Sequence, residues 1–257
     1  MHSEEWRAFR FAARKQLTPD TYIFRFLLPE GCVFGLPRAG LHVVFRATIG
    51  GKVVERPYTP VSLLHQRDHV DFVIKVYDRG VMSKHVDSLR AGDSLEMRGP
   101  RGAFSYEHGL THVGKRSAPV KQLAMVAAGS GITPMMQVLR TALLDNDSPV
   151  ELTLLFANRT RADIIMRAEL DKLAAAKPTA FRVTYFVSDG GGAGDGEGKE
   201  DDGVIVGRID QAALAKHLPP PSTDICVLVC GPSSFNDDVD LALRRLYYPA
   251  DMGIVVL

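Results

Sequence analysis

The sequence lacks an excess of either charge and any apolar run long enough to cross a bilayer. Its 257 residues carry 31 basic and 30 acidic side chains, so the overall charge gives no reason to expect a nucleic-acid partner. Residues 1–15 also lack the continuous apolar segment of a signal peptide. These absences predict a cytoplasmic protein without a membrane span in this sequence. An anchor outside it would place the protein at the cytosolic face of a membrane.

Cysteine is scarce as well. Cys32, Cys226 and Cys230 are an odd number, which favours a reducing compartment over a disulfide framework. Cys226 and Cys230 lie four residues apart in the apolar run DICVLVCG, and no further Cys or His completes a ligand set. We therefore expect no zinc or iron–sulfur site.

Two domains are expected from the length and from a change of pattern along the chain. Up to about residue 105, apolar residues alternate in short segments such as TYIFRF and HVDFVIKVY. This period is typical of half-buried strands, and their close spacing favours an antiparallel barrel. One helix is predicted from Val81 to the turn RAGD, where Gly92 would end it.

After residue 120, continuous apolar strands alternate with helices, one of them over residues 161–176, which is typical of a parallel sheet covered on both faces. Residues 106–120 are polar, contain Gly and Pro, and are predicted to be a linker. We thus predict an antiparallel barrel domain over 1–110 and a parallel α/β domain over 118–257. Residues 190–203, GGGAGDGEGKEDDG, have no apolar anchor and are expected to form a mobile loop.

Two strand-to-helix turns in the second half carry glycine. In AAGSGITPM, Gly129 and Gly131 precede Thr133 as the expected N-cap and Pro134 as the first helical residue. Such a turn admits a pyrophosphate, although an ordinary tight turn explains the same residues. VCGPSSF repeats the arrangement at another strand end, where parallel sheets bind ligands. There Cys230 is either a wall of the crevice or a small buried hydrophobic residue.

Two polar stretches interrupt the predicted barrel. ERPYTPVS, residues 55–62, ends a strand with an arginine, two prolines and a tyrosine. It is either an edge strand that turns away or a strand end that binds a ligand. RGVMSKH, residues 79–85, places Gly80 and Ser83 at a helix start, which is either a simple cap or an anion site.

In their order along the chain, RPYTPVS, IKVY with GVMS, GDSLEMRGPRGAF, AGSGITPM, LFANRT and CGPSSF resemble the NADH-cytochrome b5 reductase family of ferredoxin-reductase-like flavoproteins. The resemblance covers essentially the whole chain. It implies a monomeric FAD-dependent oxidoreductase that takes a hydride from NADH and passes single electrons to a haem protein, with cytochrome b5 as the expected partner. Two alternatives stay open: an excised reductase domain of a larger enzyme, such as a nitrate reductase or a cytochrome b5 fusion, and a non-enzymatic nucleotide-binding module.

On the flavin side, the resemblance assigns Arg56 to the FAD pyrophosphate, Tyr58 to the flavin ring and Thr59 to the neighbourhood of the reactive flavin nitrogen. Thr59 and Cys230 are expected to act by positioning, because the cofactor carries the chemistry. The other residues that the resemblance assigns to the cofactors from the barrel are His42, Pro57, Ile74, Lys75, Tyr77, Gly80, Met82 and Ser83.

On the nucleotide side, Asp189 matches an acid that accepts the ribose hydroxyls of NADH and repels the extra phosphate of NADPH. Arg159 and Arg161 could reach that phosphate, so NADPH stays open. Ala128 and Arg79 depart from the family, which usually has glycine at both positions. The wall of the nicotinamide site is implied to consist of Gly129, Gly131, Thr133, Pro134, Cys230, Gly231, Pro232 and Phe235.

Overall fold

The computed structural model describes residues 3–145, 147, 149–189 and 203–257. The N-terminal part forms an antiparallel six-stranded sheet, with strands β1 (Arg7–Thr18), β2 (Thr21–Leu27), β3 (His42–Ile49), β4 (Lys52–Tyr58), β5 (His69–Lys75) and β6 (Ser94–Arg101). Their order in the sheet is β4-β3-β6-β1-β2-β5, and a bridge between Pro60 and Phe72 joins its two edges into a barrel. The predicted antiparallel barrel is confirmed.

Large apolar side chains at alternate strand positions fill the barrel. Phe26, Phe45 and Phe72 are almost completely buried, and the ring centroids of Phe45 and Phe72 lie 4.8 Å apart. Edge-to-face contacts of this kind add to the apolar area that drives closure.

Helix α1 (Val81–Asp87) follows β5, and its Met82 and Val86 pack into the barrel core. The expected helix end at Gly92 is wrong, because the helix already ends at Asp87 with Ser88 as its C-cap. Gly92 has a φ of +99° and instead makes the turn that leads into β6. A left-handed turn of this kind favours glycine.

Most of the predicted linker is folded. It contains three antiparallel strands, β7 (Phe104–Glu107), β8 (Leu110–Val113) and β9 (Arg116–Pro119), so the linker prediction is wrong over these residues. Phe104 and Tyr106 anchor this sheet in the core shared with the second half of the chain. The domain boundaries near residues 110 and 118 stay a prediction.

The C-terminal part, over its described residues, forms a parallel sheet. Its strands are β10 (Gln122–Ala128), β11 (Glu151–Asn158), β12 (Phe181–Val187), β13 (Val204–Val206), β14 (Ile225–Cys230) and β15 (Ile254–Val256), in the order β13-β12-β11-β10-β14-β15. The helices that cover it are α2 (Ile132–Leu144), α3 (Arg167–Ala176), α4 (Gln211–His217) and α5 (Ser233–Arg245).

Both faces of this sheet are buried, as the continuous apolar strands predict. Met125 of β10 packs into a core with residues of α2 and α3, whereas its neighbour Val126 packs into a second core with residues of α4 and α5. The chain leaves β10 towards β11 on one side, and β14 pairs with β10 on the other side. The turns that follow β10 and β14 lead to α2 and α5, which lie on opposite faces of the sheet, so the carboxyl ends of these strands form a topological switch point at which α/β sheets bind ligands.

Two local predictions in this half need correction. The helix expected over 161–176 begins only at Arg167, because a short 3-10 turn precedes it and Met166 has a φ of +59°. Likewise, α2 begins at Ile132, so Thr133 is not its N-cap and Pro134 is not its first residue. Residues 190–202 of the predicted mobile loop lie outside the described residues. None of the described helices combines the length and the apolar character that a membrane crossing needs.

Candidate active site

A cleft of about 720 Å³ lies where the barrel meets the carboxyl edge of the parallel sheet. Segments far apart in the sequence line it: the end of β4, the β5–α1 connection, and the turns after β10 and β14. The residues predicted for the cofactor site that line it are His42, Arg56, Pro57, Tyr58, Thr59, Ile74, Lys75, Tyr77, Gly80, Met82, Ser83, Gly131, Thr133, Pro134, Cys230, Gly231 and Pro232.

The end of β4 brings an arginine, a tyrosine and a threonine to the cleft. Arg56 is exposed, and in the described part of the chain its guanidinium bonds only the carbonyl of Glu55, at 2.7 Å. Tyr58 packs its ring against Phe45 with the centroids 4.4 Å apart. Burial raises the pKa of Tyr58 to about 12 although the charge of Arg56 opposes this, so the phenol is neutral near pH 7. Arg56 is thus available to a phosphate, beside an apolar aromatic wall.

The connection from β5 to α1 is tightly built. A Cβ on Gly80 would lie 2.1 Å from the Oγ of Ser83, so the backbone and this hydroxyl are in close contact. Ser83 is buried, and its Oγ accepts the backbone N–H of Tyr77 at 3.4 Å. The hydroxyl of Tyr77 lies 3.1 Å from the Oγ of Ser130, which links the barrel to the turn after β10.

Two basic side chains at the cleft offer no free positive charge, because one is paired with a carboxylate and the other is neutral. The Nζ of Lys75 lies 2.9 Å from Asp20. Burial would raise the pKa of Asp20, but the hydrogen bond and charge of Lys75 lower it overall, so the Asp20 carboxylate is ionised near pH 7. Burial, and then the charge of Arg101, lower the pKa of His42, so His42 is neutral there. Neither Lys75 nor His42 adds a free positive charge.

The turns after β10 and β14 touch each other. A Cβ on Gly131 would lie 2.1 Å from the carbonyl oxygen of Cys230, and one on Gly231 would lie 2.6 Å from the ring of Phe235. Only glycine permits this close packing, and both glycines line the cleft. Thr133 is buried and donates its hydroxyl to the carbonyl of Ser130 at 3.2 Å.

The thiol of Cys230 lies at the edge of this contact. It is 3.8 Å from the carbonyl oxygen of Leu257, and burial raises its pKa to about 11. The thiol is therefore protonated near pH 7. In this state it can pack or donate a weak hydrogen bond, but it is a poor nucleophile.

Three predicted residues do not line the cleft. Gly129 has a φ of +53° and shapes the turn before Gly131, and Phe235 packs behind Gly231. Asp189 is exposed beyond the end of β12, where its backbone N–H donates to the carbonyl of Arg159 at 2.9 Å. The guanidinium of Arg159 itself lies 3.4 Å from Asp163.

The cleft also contains residues that the sequence did not assign to it. Gly102 and Phe104 belong to the motif RGPRGAF, which was a usable signal, and Ser130 lies inside AAGSG. The C-terminal strand β15 carries no comparable motif. The full set of unassigned lining residues is Gly40, Val73, Val81, Gly102, Ala103, Phe104, Ser130, Val255, Val256 and Leu257.

These features fit two nucleotides rather than a metal. An exposed guanidinium, an aromatic wall and closely approached glycine turns suit phosphates and flat rings. Among the described residues, no group of His, Cys, Asp or Glu could hold a metal ion. A barrel and a parallel sheet that share such a cleft define a flavin- and pyridine-nucleotide-dependent oxidoreductase.

Comparisons with known proteins refine this class. An oxidoreductase FAD-binding domain model matches residues 8–106, and an oxidoreductase NAD-binding domain model matches residues 125–240. NADH-cytochrome b5 reductase 1 of Dictyostelium discoideum is 38% identical over 234 residues, which are 91% of this chain and 75% of the relative. The protein of the same name from Homo sapiens is 38% identical, with 87% of this chain and 76% of the relative covered.

Comparison with solved structures points to the same family. The cytochrome b5 reductase domain of Ulva prolifera nitrate reductase superposes with a TM-score of 0.90 at 27% identity, covering 100% of this chain and 99% of that one. The CS-b5R domains of human Ncb5or give 0.79 at 26% identity, covering 98% and 69%. The chain belongs to the NADH-cytochrome b5 reductase family. It is an NADH-dependent flavin oxidoreductase with FAD and NADH as cofactors, so the family, fold class and cofactors predicted from the sequence are confirmed.

Proposed function

We propose that this protein transfers electrons from NADH to cytochrome b5 and that the shared cleft is the place of transfer. The observation that carries the proposal is that one cleft joins the strand end Arg56–Thr59 to the turns at Gly131 and Cys230. Relatives that align over most of the chain are named for this reaction. Bound FAD would supply the chemistry, because it accepts two electrons from NADH and can release them singly.

The residues of the barrel would hold the flavin. Arg56 would pair with its pyrophosphate, since its guanidinium is exposed and bonds only a backbone carbonyl in the described residues. Tyr58 would offer a neutral aromatic surface to the ring system, and Thr59, the next residue, would place its hydroxyl at the reacting edge. Ser83 and the backbone at Gly80 would contact the remaining polar atoms.

The turns of the parallel sheet would hold the nicotinamide. The glycines at 131 and 231 allow the two turns to pack closely at the cleft, and Cys230 and Pro232 would form the opposite wall. Because the thiol of Cys230 and the phenol of Tyr58 are protonated near pH 7, we assign them positioning roles. NADH would be preferred over NADPH because the exposed Asp189, beyond the end of β12, would accept the ribose hydroxyls, and because Arg159 is engaged by Asp163.

An anaerobic titration tests this function. The purified protein with FAD should lose its yellow colour on addition of NADH, with a clearly weaker response to NADPH. Cytochrome b5 and, separately, ferricyanide are then added. Reduction of both supports the proposal, whereas reduction of ferricyanide alone would exclude cytochrome b5 as the acceptor. A protein that does not take up FAD would contradict the proposal and favour a non-enzymatic module.

A second candidate function is that of a reductase domain within a larger electron-transfer enzyme. The close superposition on the reductase domain of a nitrate reductase favours it. In that case the acceptor would be tethered to the same polypeptide, and free cytochrome b5 would be reduced slowly. The full-length transcript and the rate with free cytochrome b5 distinguish the two candidates.

A further inference from the structure

A buried glutamine of helix α2 bonds the backbone of the barrel with both ends of its amide. Gln137 is 3% exposed. Its Oε1 accepts the N–H of Gly40 at 2.5 Å, and its Nε2 donates to the carbonyl of Pro60 at 3.2 Å. A buried amide with both ends satisfied by another part of the chain is specific to one relative placement of the two parts.

One turn further along α2, Arg140 extends the same contact. Its guanidinium donates to the carbonyl of Val61, and its Nε also donates to Glu169 of helix α3 at 2.8 Å. The segment that follows β4 is therefore held at two consecutive carbonyls, those of Pro60 and Val61. The helix that holds it is itself braced against its neighbour by Glu169.

These contacts connect the two walls of the cleft. Helix α2 follows Gly131 directly and contributes Thr133 to the cleft, whereas Pro60 follows Thr59. Gly40 also lines the cleft, and its φ of +91° and a Cβ position 2.7 Å from the ring of Phe104 leave it little freedom to move. A displacement at Gln137 is therefore passed to both sides of the reaction site.

We propose that Gln137 is a positioning residue that sets the placement of Thr59 relative to the nicotinamide wall at Gly131. The inference rests on the proposed function, because it assumes that these two walls hold the flavin and the nicotinamide. The distance between the reacting atoms depends on this placement, and an error of about 1 Å costs about 100-fold in rate. Arg140 supports the same placement through Val61.

A purely structural role would have different consequences. If Gln137 only stabilised the fold, its loss would lower the melting temperature and leave the rate of the folded protein unchanged. The test therefore compares Gln137→Met, which keeps the length of the side chain but removes both bonds, with Val138→Ala, which removes buried apolar contacts from the same helix. Gln137→Glu keeps the acceptor for the Gly40 amide and replaces the donor to the Pro60 carbonyl. This variant is the alternative test if Gln137→Met does not fold.

All variants are examined with FAD bound, and three quantities are measured: FAD affinity, hydrogen exchange at the Gly40 amide, and the rate of flavin bleaching at saturating NADH. We expect Gln137→Met to exchange Gly40 at least tenfold faster and to be reduced about 10- to 100-fold more slowly, with FAD affinity within about twofold of wild type. Gln137→Glu should retain protection of Gly40 but still be reduced more slowly. Val138→Ala should change none of the three quantities.

Reduction of folded Gln137→Met at the wild-type rate, or an equal slowing in Val138→Ala, would overturn the inference. Failure of the proposed function has a separate signature, because the wild-type protein itself would then not be bleached by NADH. Exchange at Gly40 does not depend on NADH, so unchanged exchange in Gln137→Met overturns the positioning contact in either case.

Discussion

Replacing Gly131 with alanine would place a methyl group 2.1 Å from the carbonyl oxygen of Cys230 and 2.5 Å from its carbonyl carbon. The backbone at Gly131 has a φ of −62°, which alanine adopts without strain, so the effect is purely steric. The obstacle is backbone, which cannot rotate away as the end of a long side chain can. The turns after β10 and β14 must therefore move apart.

The size of this movement follows from ordinary contact distances. Contact without compression begins at 3.4 Å, so the turns must separate by about 1 Å. Overpacking of this kind costs about 1–3 kcal/mol, which a domain with about 5–15 kcal/mol of stability survives. A misplacement of about 1 Å at a reaction site costs about 100-fold in rate. We therefore expect Gly131→Ala to fold, to bind FAD as wild type does, and to lose about 100-fold in kcat/KM for NADH.

Stopped-flow absorbance of the flavin under anaerobic conditions measures this loss, and fluorescence titration measures the affinity for FAD. Gly114→Ala is the matched control, because its φ of +61° makes alanine strained while no atom lies within 4 Å of the added methyl. It should lower the melting temperature and leave kcat/KM unchanged. If Gly131→Ala reacted with NADH as fast as wild type, the close contact of the two turns would have no role in the reaction.

Three further results are expected. Arg56→Leu should weaken FAD binding by about 10- to 100-fold in a fluorescence titration, because a charged hydrogen bond contributes about 1.5–3 kcal/mol; unchanged affinity would contradict its pairing with phosphate. Thr59→Val and Cys230→Ala should each slow flavin reduction in stopped flow without loss of flavin, and a wild-type rate would disprove either positioning role. Because burial raises the pKa of Cys230 to about 11, only about one thiol in a thousand is ionised at pH 8. Iodoacetamide should then label the exposed Cys32 first by peptide mass spectrometry, with labelling of Cys230 rising towards its pKa; equal labelling at pH 8 would refute this.

Local periodicity is sufficient to predict the barrel strands and the parallel strands, because each presents one or two buried faces along its own length. β5 alternates around Val70 and Phe72, and β10 is apolar throughout. The end of β4 is also predictable, because Pro60 lies two residues beyond Tyr58 and a proline cannot donate to a strand ladder. The assignment of Arg56 to a cofactor came only from the order of motifs along the whole chain.

Elements whose stability comes from distant residues were missed. The sheet β7–β9 is short, and its turns at His108 and Gly114 made the segment resemble a linker. The sheet is stabilised by burial of Phe104 and Tyr106 against helix α2, which is a contact between residues far apart in the sequence. Strand β15 has only three residues, and its pairing with β14 is equally invisible in a local pattern.

Lys75 shows most clearly why the charges of the cleft could not be predicted from the sequence. The resemblance assigns Lys75 of IKVY to the cofactors, but the turn between β1 and β2 brings Asp20 to within 2.9 Å of its ammonium group. The pKa of Asp20 is lowered by Lys75 in spite of burial, so the carboxylate stays ionised near pH 7 and offsets the charge of the lysine. The positive charge offered to a pyrophosphate therefore comes from Arg56, which in the described residues bonds only a carbonyl. Sequence motifs identify both cationic residues, but only the folded structure shows which of them is already paired with a carboxylate.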